Sequence, residues 1–196
     1  MLVYGAMSLC AVVIAWARGE SLWHETAAVA ELASPDASLA LGGALALLTI
    51  ASTRWLVSRT RWGKTLRDDF RTLLADAGPG DAIWLALLSG VGEELLFRGA
   101  LLPWWGLAGS SLAFGVLHVG PARRFLGWTV WASVLGALLG EIVVTTGRIE
   151  GAILAHVLIN AVNLRFVLAF DGRFDAARRD PGEQALVARP RRRETR

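Results

Sequence analysis

Apolar residues along this chain run in blocks long enough to form membrane helices, and polar residues gather between the blocks. The apolar blocks fall at 2–17, 38–57, 82–105, 107–119, 125–144 and 149–170. A helix that crosses the hydrocarbon core of a bilayer needs about 20 predominantly apolar residues. The pattern therefore predicts an all-α, polytopic membrane bundle of about six transmembrane helices, of which the fourth is short.

The third and fourth blocks have the features of a helical hairpin. Pro103 ends or kinks the third block, because proline lacks the amide donor that an inner helical turn requires. Gly106, Gly109 and the pair Ser110-Ser111 open the fourth block, and such residues favour turns. We expect the short fourth helix to fold back into the membrane, with its ends covered by protein or water.

Composition supports one membrane domain rather than a soluble one. The 196 residues are 54% hydrophobic and only 19% charged, with a mean hydropathy of +0.46. We predict a membrane-embedded helical domain at 1–172, with the candidate catalytic core at 82–170. The polar, arginine-rich segment 173–196 is predicted to be a basic cytoplasmic tail without fixed structure.

Charge predicts orientation and argues against a nucleic-acid partner. The connection at 54–71 carries six basic residues, namely Arg54, Arg59, Arg61, Lys64, Arg67 and Arg71. Basic connections between apolar helices face the cytoplasm, so the net charge of +3 reflects membrane topology rather than binding to DNA or RNA. We expect a multi-pass protein of the cell membrane, bacterial in composition, with both termini in the cytoplasm.

Three charged residues interrupt the third block. A charged side chain near the bilayer centre costs roughly 2.5–3.5 kcal/mol, so Glu93, Glu94 and Arg98 must pair or line a wet cavity. Glu94 and Arg98 are four residues apart and share a helix face, so they are predicted to pair. Glu93 is rotated by about 100° from Glu94 and is the freer carboxylate.

Two later blocks each contain a histidine. His118 follows Phe114 by four residues, and Asn160 follows His156 by four, so each pair shares a helix face. Imidazole and carboxylate groups are the usual general acid and base, and both also bind metals. His156 and Asn160 can form a two-donor clamp for a developing oxyanion. Hydrogen bonding between helices is the competing interpretation for each of these polar residues.

Three short motifs therefore lie in order on separate apolar helices. They are Glu93-Glu94-x-x-x-Arg98, Phe114-x-x-x-His118 and His156-x-x-x-Asn160. In this order they resemble the CPBP family of intramembrane proteases, which includes the CAAX prenyl endopeptidases and the bacterial Abi proteins. The resemblance covers 82–170.

This resemblance implies a role for each matching residue. Glu93 would activate a water together with His118, while His156 and Asn160 would stabilise the tetrahedral oxyanion. The supporting residues are Glu94, Arg98 and Phe114. The implied partners are a membrane-associated protein or peptide substrate and the lipid bilayer.

The residues are compatible either with no cofactor or with a divalent metal such as zinc. Glu93, His118 and His156 match the two-histidine, one-carboxylate set of hydrolytic zinc sites. A metal-free route is equally sound, because a carboxylate desolvated in a membrane can act as a general base near neutral pH. We favour the metal-free chemistry.

The leading functional hypothesis is an intramembrane endopeptidase that acts in protein sorting or maturation. Two alternatives come from other classes. The same ionisable residues can form the relay of a proton-coupled transporter component. The protein can also be a non-catalytic membrane scaffold or immunity protein that retains the motifs for folding.

Overall fold

The computed structural model describes residues 2–23 and 34–169, and all regular elements in these ranges are helical. The α-helices are α1 (Leu2–Arg18), α2 (Pro35–Arg59), α3 (Arg61–Leu73), α4 (Pro79–Glu94), α5 (Leu102–Leu117), α6 (Leu126–Thr146) and α7 (Glu150–Ala169). A π-helical segment, Leu95–Leu101, joins α4 to α5, and a 3-10 turn, Arg123–Phe125, precedes α6. The predicted all-α class is confirmed. The predicted tail at 173–196 lies outside the described residues.

Within residues 2–23 and 34–169, four stretches are long and apolar enough to cross a membrane. They are Pro35–Arg59, Gly80–Leu117, Arg123–Thr146 and Glu150–Ala169. The shorter helix α1 is also apolar. The chain is therefore a membrane protein, and its six apolar blocks correspond to α1, α2, α4 with the π-helical segment, α5, α6 and α7.

The stretch that ends at Leu117 is folded back on itself rather than straight. Gly106 has φ 66° and ψ 179°, a left-handed φ that interrupts α5 and that glycine adopts without a Cβ penalty. The ring centroids of Phe97 and Phe114 are 5.2 Å apart, whereas a continuous helix would separate these residues by about 25 Å. The predicted hairpin is present, and it reverses at Gly106. Pro103 sits in the first turn of α5, where a free amide is not required.

Helix α3 was not foreseen, because the abundant charges at 54–71 suggest only a polar connection. Thr60 caps its start by accepting a hydrogen bond from the Gly63 amide at 2.9 Å. Trp62, Leu66 and Phe70 recur every four residues and form one apolar face.

This face packs α3 against the start of α6. The Trp62 Nε1 donates to the Arg124 carbonyl at 3.0 Å, and the Phe70 ring lies edge-on to Phe125 and Trp128. The Arg124 guanidinium also binds the Asp69 carboxylate through two nitrogens. Helix α3 is thus fixed beside the connection between α5 and α6.

Helices α2 and α7 approach so closely that small residues are required between them. A Cβ on Gly42 would collide with the Gly151 backbone, and a Cβ on Gly151 would collide with the Ser38 carbonyl. The Ser38 Oγ accepts from the Gly151 amide at 3.0 Å and donates to the Arg148 carbonyl at 3.3 Å. Small residues allow such close backbone packing in membrane helices.

This contact predicts opposite outcomes for two adjacent glycines. Gly42→Ala should lower the thermal unfolding temperature in detergent, because the new methyl group meets the Gly151 backbone. Gly43→Ala is the matched control, since a Cβ there meets nothing within 4 Å. The control should be neutral or slightly stabilising, because alanine favours a helix by about 1 kcal/mol over glycine. Equal unfolding temperatures for the two variants would contradict the packing.

Candidate active site

The candidate site forms where the end of α4, the π-helical segment, the end of α5 and the middle of α7 meet. Glu93 and Glu94 close α4, and Arg98 lies inside the π-helical segment. Glu94 and Arg98 are fully buried, and Glu93 and His156 are only 6% and 3% exposed. Short π-helical turns inside α-helices frequently occur at functional sites. The interruption here coincides with the charged motif.

Glu94 and Arg98 form the ion pair that their spacing predicts. The Arg98 Nη1 donates to Glu94 Oε1 at 2.9 Å, and Nη2 donates to the Gly136 carbonyl of α6 at 2.7 Å. The guanidinium carbon lies 4.5 Å from the centroid of the Phe114 ring. Arg98 therefore connects the π-helical segment to α5 and α6, and its charge is compensated inside the protein.

The same Glu94 oxygen also binds His156. The His156 Nδ1 is 2.7 Å from Glu94 Oε1. A carboxylate oxygen accepts, so this contact assigns the proton to Nδ1. The other ring nitrogen, Nε2, then faces Glu93 Oε2 at 4.0 Å. Glu94 thus determines which edge of the His156 ring points toward Glu93.

The His118 ring is oriented by a backbone carbonyl, and its Nε2 also faces Glu93. Its Nδ1 is 2.8 Å from the Phe114 carbonyl, which can only accept, so Nδ1 carries the proton here as well. Its Nε2 lies 3.7 Å from Glu93 Oε2. The His118 side chain is 23% exposed, against 8% for that of Glu93. The site therefore opens on the His118 side.

Glu93 Oε2 is the point on which the two histidines converge. This oxygen is buried and has no hydrogen-bond partner within the described part of the chain. Both Nε2–Oε2 separations exceed hydrogen-bond length, and gaps of this size are commonly bridged by a water. The arrangement can thus hold a water against a carboxylate and two imidazoles. That is the arrangement needed to activate a nucleophilic water.

Phe114 packs the aromatic side of the site. Its buried ring stacks at a tilt on His118, with centroids 4.5 Å apart, and meets His156 edge-on at 5.7 Å. It also packs against Phe97 and lies beneath the Arg98 guanidinium. Phe114 therefore contacts both imidazoles and the buried cation, while its carbonyl orients His118.

Asn160 lies one turn away from this cluster and is bonded to another residue. Its Nδ2 donates to the Ser89 Oγ at 2.9 Å, and Ser89 precedes Glu93 by one turn of α4. The structure thus brings together Glu93, His118 and His156, with Glu94 and Arg98 behind them. The clamp of His156 and Asn160 on an oxyanion stays a prediction.

Several contacts of the site could not be read from the sequence. Arg98 and His118 both use backbone carbonyls, which any residue supplies. Thr129 donates to the His118 carbonyl at 3.2 Å, and the Trp128 ring lies 6.1 Å from the His118 ring. A threonine and a tryptophan at the start of an apolar helix carry no specific signal for these roles.

The candidate metal ligands are spaced more widely than the ligands of a zinc site. Glu93, His118 and His156 offer suitable donor atoms, but zinc ligands in a tetrahedral site lie about 3.3–3.4 Å apart. Across 2–23 and 34–169, no group of three His, Cys, Asp or Glu side chains is placed to hold a metal ion. The Nε2–Oε2 separations of 3.7 and 4.0 Å are wider than those of zinc ligands, and the choice between a divalent metal and no cofactor stays a prediction.

Comparisons with known proteins agree with the sequence motifs. Residues 78–162 match the family model described as type II CAAX prenyl endopeptidase Rce1-like. The uncharacterized protein YpbD of Bacillus subtilis (strain 168) is 34% identical over 107 residues, which are 55% of this chain and 53% of YpbD. The chain thus matches about half the length of that curated relative. No solved structure matches the chain. The resemblance stated from the motifs is confirmed over residues 78–162.

Burial of the ion pair predicts a large loss of stability when its cation is removed. Arg98→Met should lower the free energy of unfolding by about 3–5 kcal/mol, because Glu94 would be left buried without its cation. Arg18→Met is the control, since the Arg18–Glu20 pair is about one-third exposed and such pairs contribute about 0–1 kcal/mol. Denaturant titration in detergent measures both. A loss below about 1 kcal/mol in Arg98→Met would show that the buried pair is not stabilising.

Proposed function

We propose that this protein is an intramembrane endopeptidase, because residues 78–162 match the Rce1-like family of type II CAAX prenyl endopeptidases. The substrate would be a membrane-associated protein or peptide. The observation that carries the proposal is the convergence of the His118 and His156 Nε2 atoms on the buried Glu93 Oε2. Such a cluster is costly within a membrane helix and therefore indicates function.

In the proposed reaction, Glu93 is the general base. A water held between Glu93 Oε2 and the His118 Nε2 attacks the carbonyl carbon of the scissile peptide bond, and its proton passes to Glu93. The tetrahedral intermediate then collapses. The C–N bond breaks, and the proton held by Glu93 passes to the leaving nitrogen, which yields one carboxylic acid and one amine.

His156 and Asn160 are proposed to stabilise the oxyanion. Hydrogen-bond donors that are aimed at a developing oxyanion typically stabilise the transition state by several kcal/mol. A His156 ring that is protonated at both nitrogens would donate Nδ1–H to Glu94 and Nε2–H to the oxyanion, with Glu94 balancing its charge. The Asn160 amide has two N–H groups, and the Ser89 contact uses one of them.

Glu94 and Arg98 are proposed to act indirectly. Glu94 orients His156, and Arg98 pairs with Glu94 and is itself held by contacts with α5 and α6. Phe114 supports both rings. Water would reach the site from the His118 side, where the side chain is most exposed.

We further propose that the protein works in the cell membrane with both termini in the cytoplasm. The basic connection that includes α3 would face the cytoplasm by the positive-inside rule. The substrate would then reach the site within the plane of the membrane. A role in protein sorting or maturation fits a peptidase that selects membrane-anchored chains.

A proton relay is the second candidate, and one observation favours it. Four titratable side chains lie in a row, in the order His118, Glu93, His156 and Glu94. Neighbouring groups in this row are 2.7–4.0 Å apart. Rows of titratable groups in membranes also carry protons. Proton flux into liposomes that disappears in Glu93→Gln, without any peptide cleavage, would favour this function.

The peptidase proposal predicts that cleavage depends on Glu93 and His118. Glu93→Gln and His118→Ala should each reduce cleavage of a membrane-protein library by at least about a hundredfold, because general acid–base groups contribute about 10²–10⁴. Glu141→Gln is the matched control, since this exposed carboxylate lies on α6 outside the site. Equal cleavage by wild type and Glu93→Gln would exclude Glu93 as the base.

The geometry also predicts that a chelator leaves cleavage unchanged. The separations between Glu93 and the two histidines are wider than those of zinc ligands, so water activation is assigned to the side chains. Wild-type protein would be dialysed against a strong chelator and assayed on the same substrates. Loss of cleavage that added zinc restores would instead establish a metalloenzyme.

A further inference from the structure

His118 lies at the end of α5, where regular helix no longer supports its side chain. Its backbone has φ −97° and ψ 16°, and an irregular turn at 119–122 follows. The side chain is 23% exposed, yet its Nε2 must keep facing Glu93 if the two groups are to hold a water. The position of the His118 ring therefore depends in part on contacts from outside α5.

The first turn of α6 supplies two such contacts. The Trp128 ring meets the His118 ring edge-on, with centroids 6.1 Å apart and an interplanar angle of 62°, which is an attractive geometry for aromatic pairs. The neighbouring Thr129 donates its hydroxyl to the His118 carbonyl at 3.2 Å. The start of α6 thus contacts both the ring and the backbone of His118.

Trp128 is held in turn by Phe70 of α3. Their rings lie edge-to-face with centroids 5.2 Å apart, and Phe70 also meets the Phe125 ring at 5.7 Å. Phe125 is buried, and a Cβ on Gly120 would come within 2.3 Å of its ring. The rings of Phe70, Phe125 and Trp128 therefore form one aromatic cluster, which joins α3 to the turn that follows His118.

Polar contacts fix α3 beside this aromatic cluster. The Arg124 guanidinium binds Asp69, the residue before Phe70, through two nitrogens. The Trp62 Nε1 donates to the Arg124 carbonyl at 3.0 Å from the same face of α3. Phe70 is thus attached to an element that is anchored on both sides of its ring, and its contact passes through Trp128 to His118.

We propose that Phe70 of α3, acting through Trp128, positions the His118 ring for the activation of water. Phe70 and Trp128 are positioning residues, because they act on the histidine rather than on the peptide or the water. This inference rests on the proposed peptidase function. It adds to the site a residue that precedes the family match at 78–162, so α3 becomes a functional part of the enzyme rather than a connection.

The kinetic test uses Phe70→Leu, which removes the ring and keeps an apolar side chain. We expect kcat to fall about tenfold, or about 1.4 kcal/mol, because Trp128 no longer holds His118 in line with Glu93. KM should stay within about twofold, since no contact with the peptide is lost. Phe70→Tyr keeps the ring and should retain kcat within about twofold. Unchanged kcat in Phe70→Leu would overturn the proposal.

Phe166→Leu is the matched control for the loss of a phenylalanine ring. Phe166 lies ten residues after His156, about 15 Å farther along α7, and its ring packs on the Arg54 guanidinium. This variant should leave both kcat and KM within about twofold of wild type.

A double-mutant cycle tests whether Phe70 acts through Trp128. Trp128→Leu should itself lower kcat about tenfold, because it removes the contact with the His118 ring. In that background Phe70→Leu should cause no further loss, since the side chain that transmits its effect is already gone. Losses that multiply in the double variant would show that Phe70 and Trp128 act independently.

A spectroscopic test needs no substrate. The chain has three histidines, so protein labelled with ¹⁵N-histidine gives three sets of imidazole signals, and His118→Ala identifies the set from His118. Phe70→Leu should move the His118 signals more than those of His156, because the contacts from Phe70 lead to His118. Phe166→Leu should move neither set. An unmoved His118 set, or equal movement of both sets, would contradict specific positioning.

These tests separate failure of this inference from failure of the peptidase function. Cleavage that requires Glu93 but is unchanged in Phe70→Leu would exclude the role of Phe70 and leave the peptidase intact. Cleavage that does not require Glu93 would overturn the peptidase mechanism, while the histidine signals would still report whether Phe70 positions His118. A tenfold loss of kcat that is absent from the Trp128→Leu background, together with moved His118 signals, supports the inference.

Discussion

One carboxylate oxygen, Oε1 of Glu94, holds the centre of this bundle together. It accepts from the Arg98 guanidinium and from the His156 ring, and Arg98 in turn donates to the Gly136 carbonyl. These contacts join the π-helical segment, α6 and α7 at one buried point. In a low-dielectric interior a satisfied polar network is rigid, and the loss of any member leaves another without a partner. The orientation of the His156 ring and the packing of three helices therefore have a common cause.

Departures from regular α-helix occur where the site requires them. The π-helical segment follows the two glutamates directly, and the reversal at Gly106 returns α5 to the same level. That return places Phe114 against Phe97 and His118 against Glu93. The π-helical segment thus lies among the ionisable groups, and the reversal at Gly106 brings His118 back to them.

The sequence was sufficient for the features that depend on local periodicity. Block length predicted the membrane helices, and the four-residue spacing predicted the pair of Glu94 and Arg98. The orientation of each imidazole was not predictable, because it depends on the Phe114 carbonyl and on Glu94 of another helix. Helix α3 was missed because its charges outnumber the three apolar residues of its buried face. The roles of the site residues came from the family resemblance, and they stay predictions.

The short return of α5 has a consequence for the choice of substrate. From Gly106 to Leu117 the helix rises by about 17 Å, roughly half of the 30 Å hydrocarbon thickness. Its polar end therefore lies about half a membrane thickness from the reversal at Gly106. A peptide bond inside an intact transmembrane helix is shielded by the backbone hydrogen bonds around it. For the proposed peptidase, substrate helices with glycine or proline near the site would unwind at the lowest cost, so helix stability would contribute to the choice of substrate.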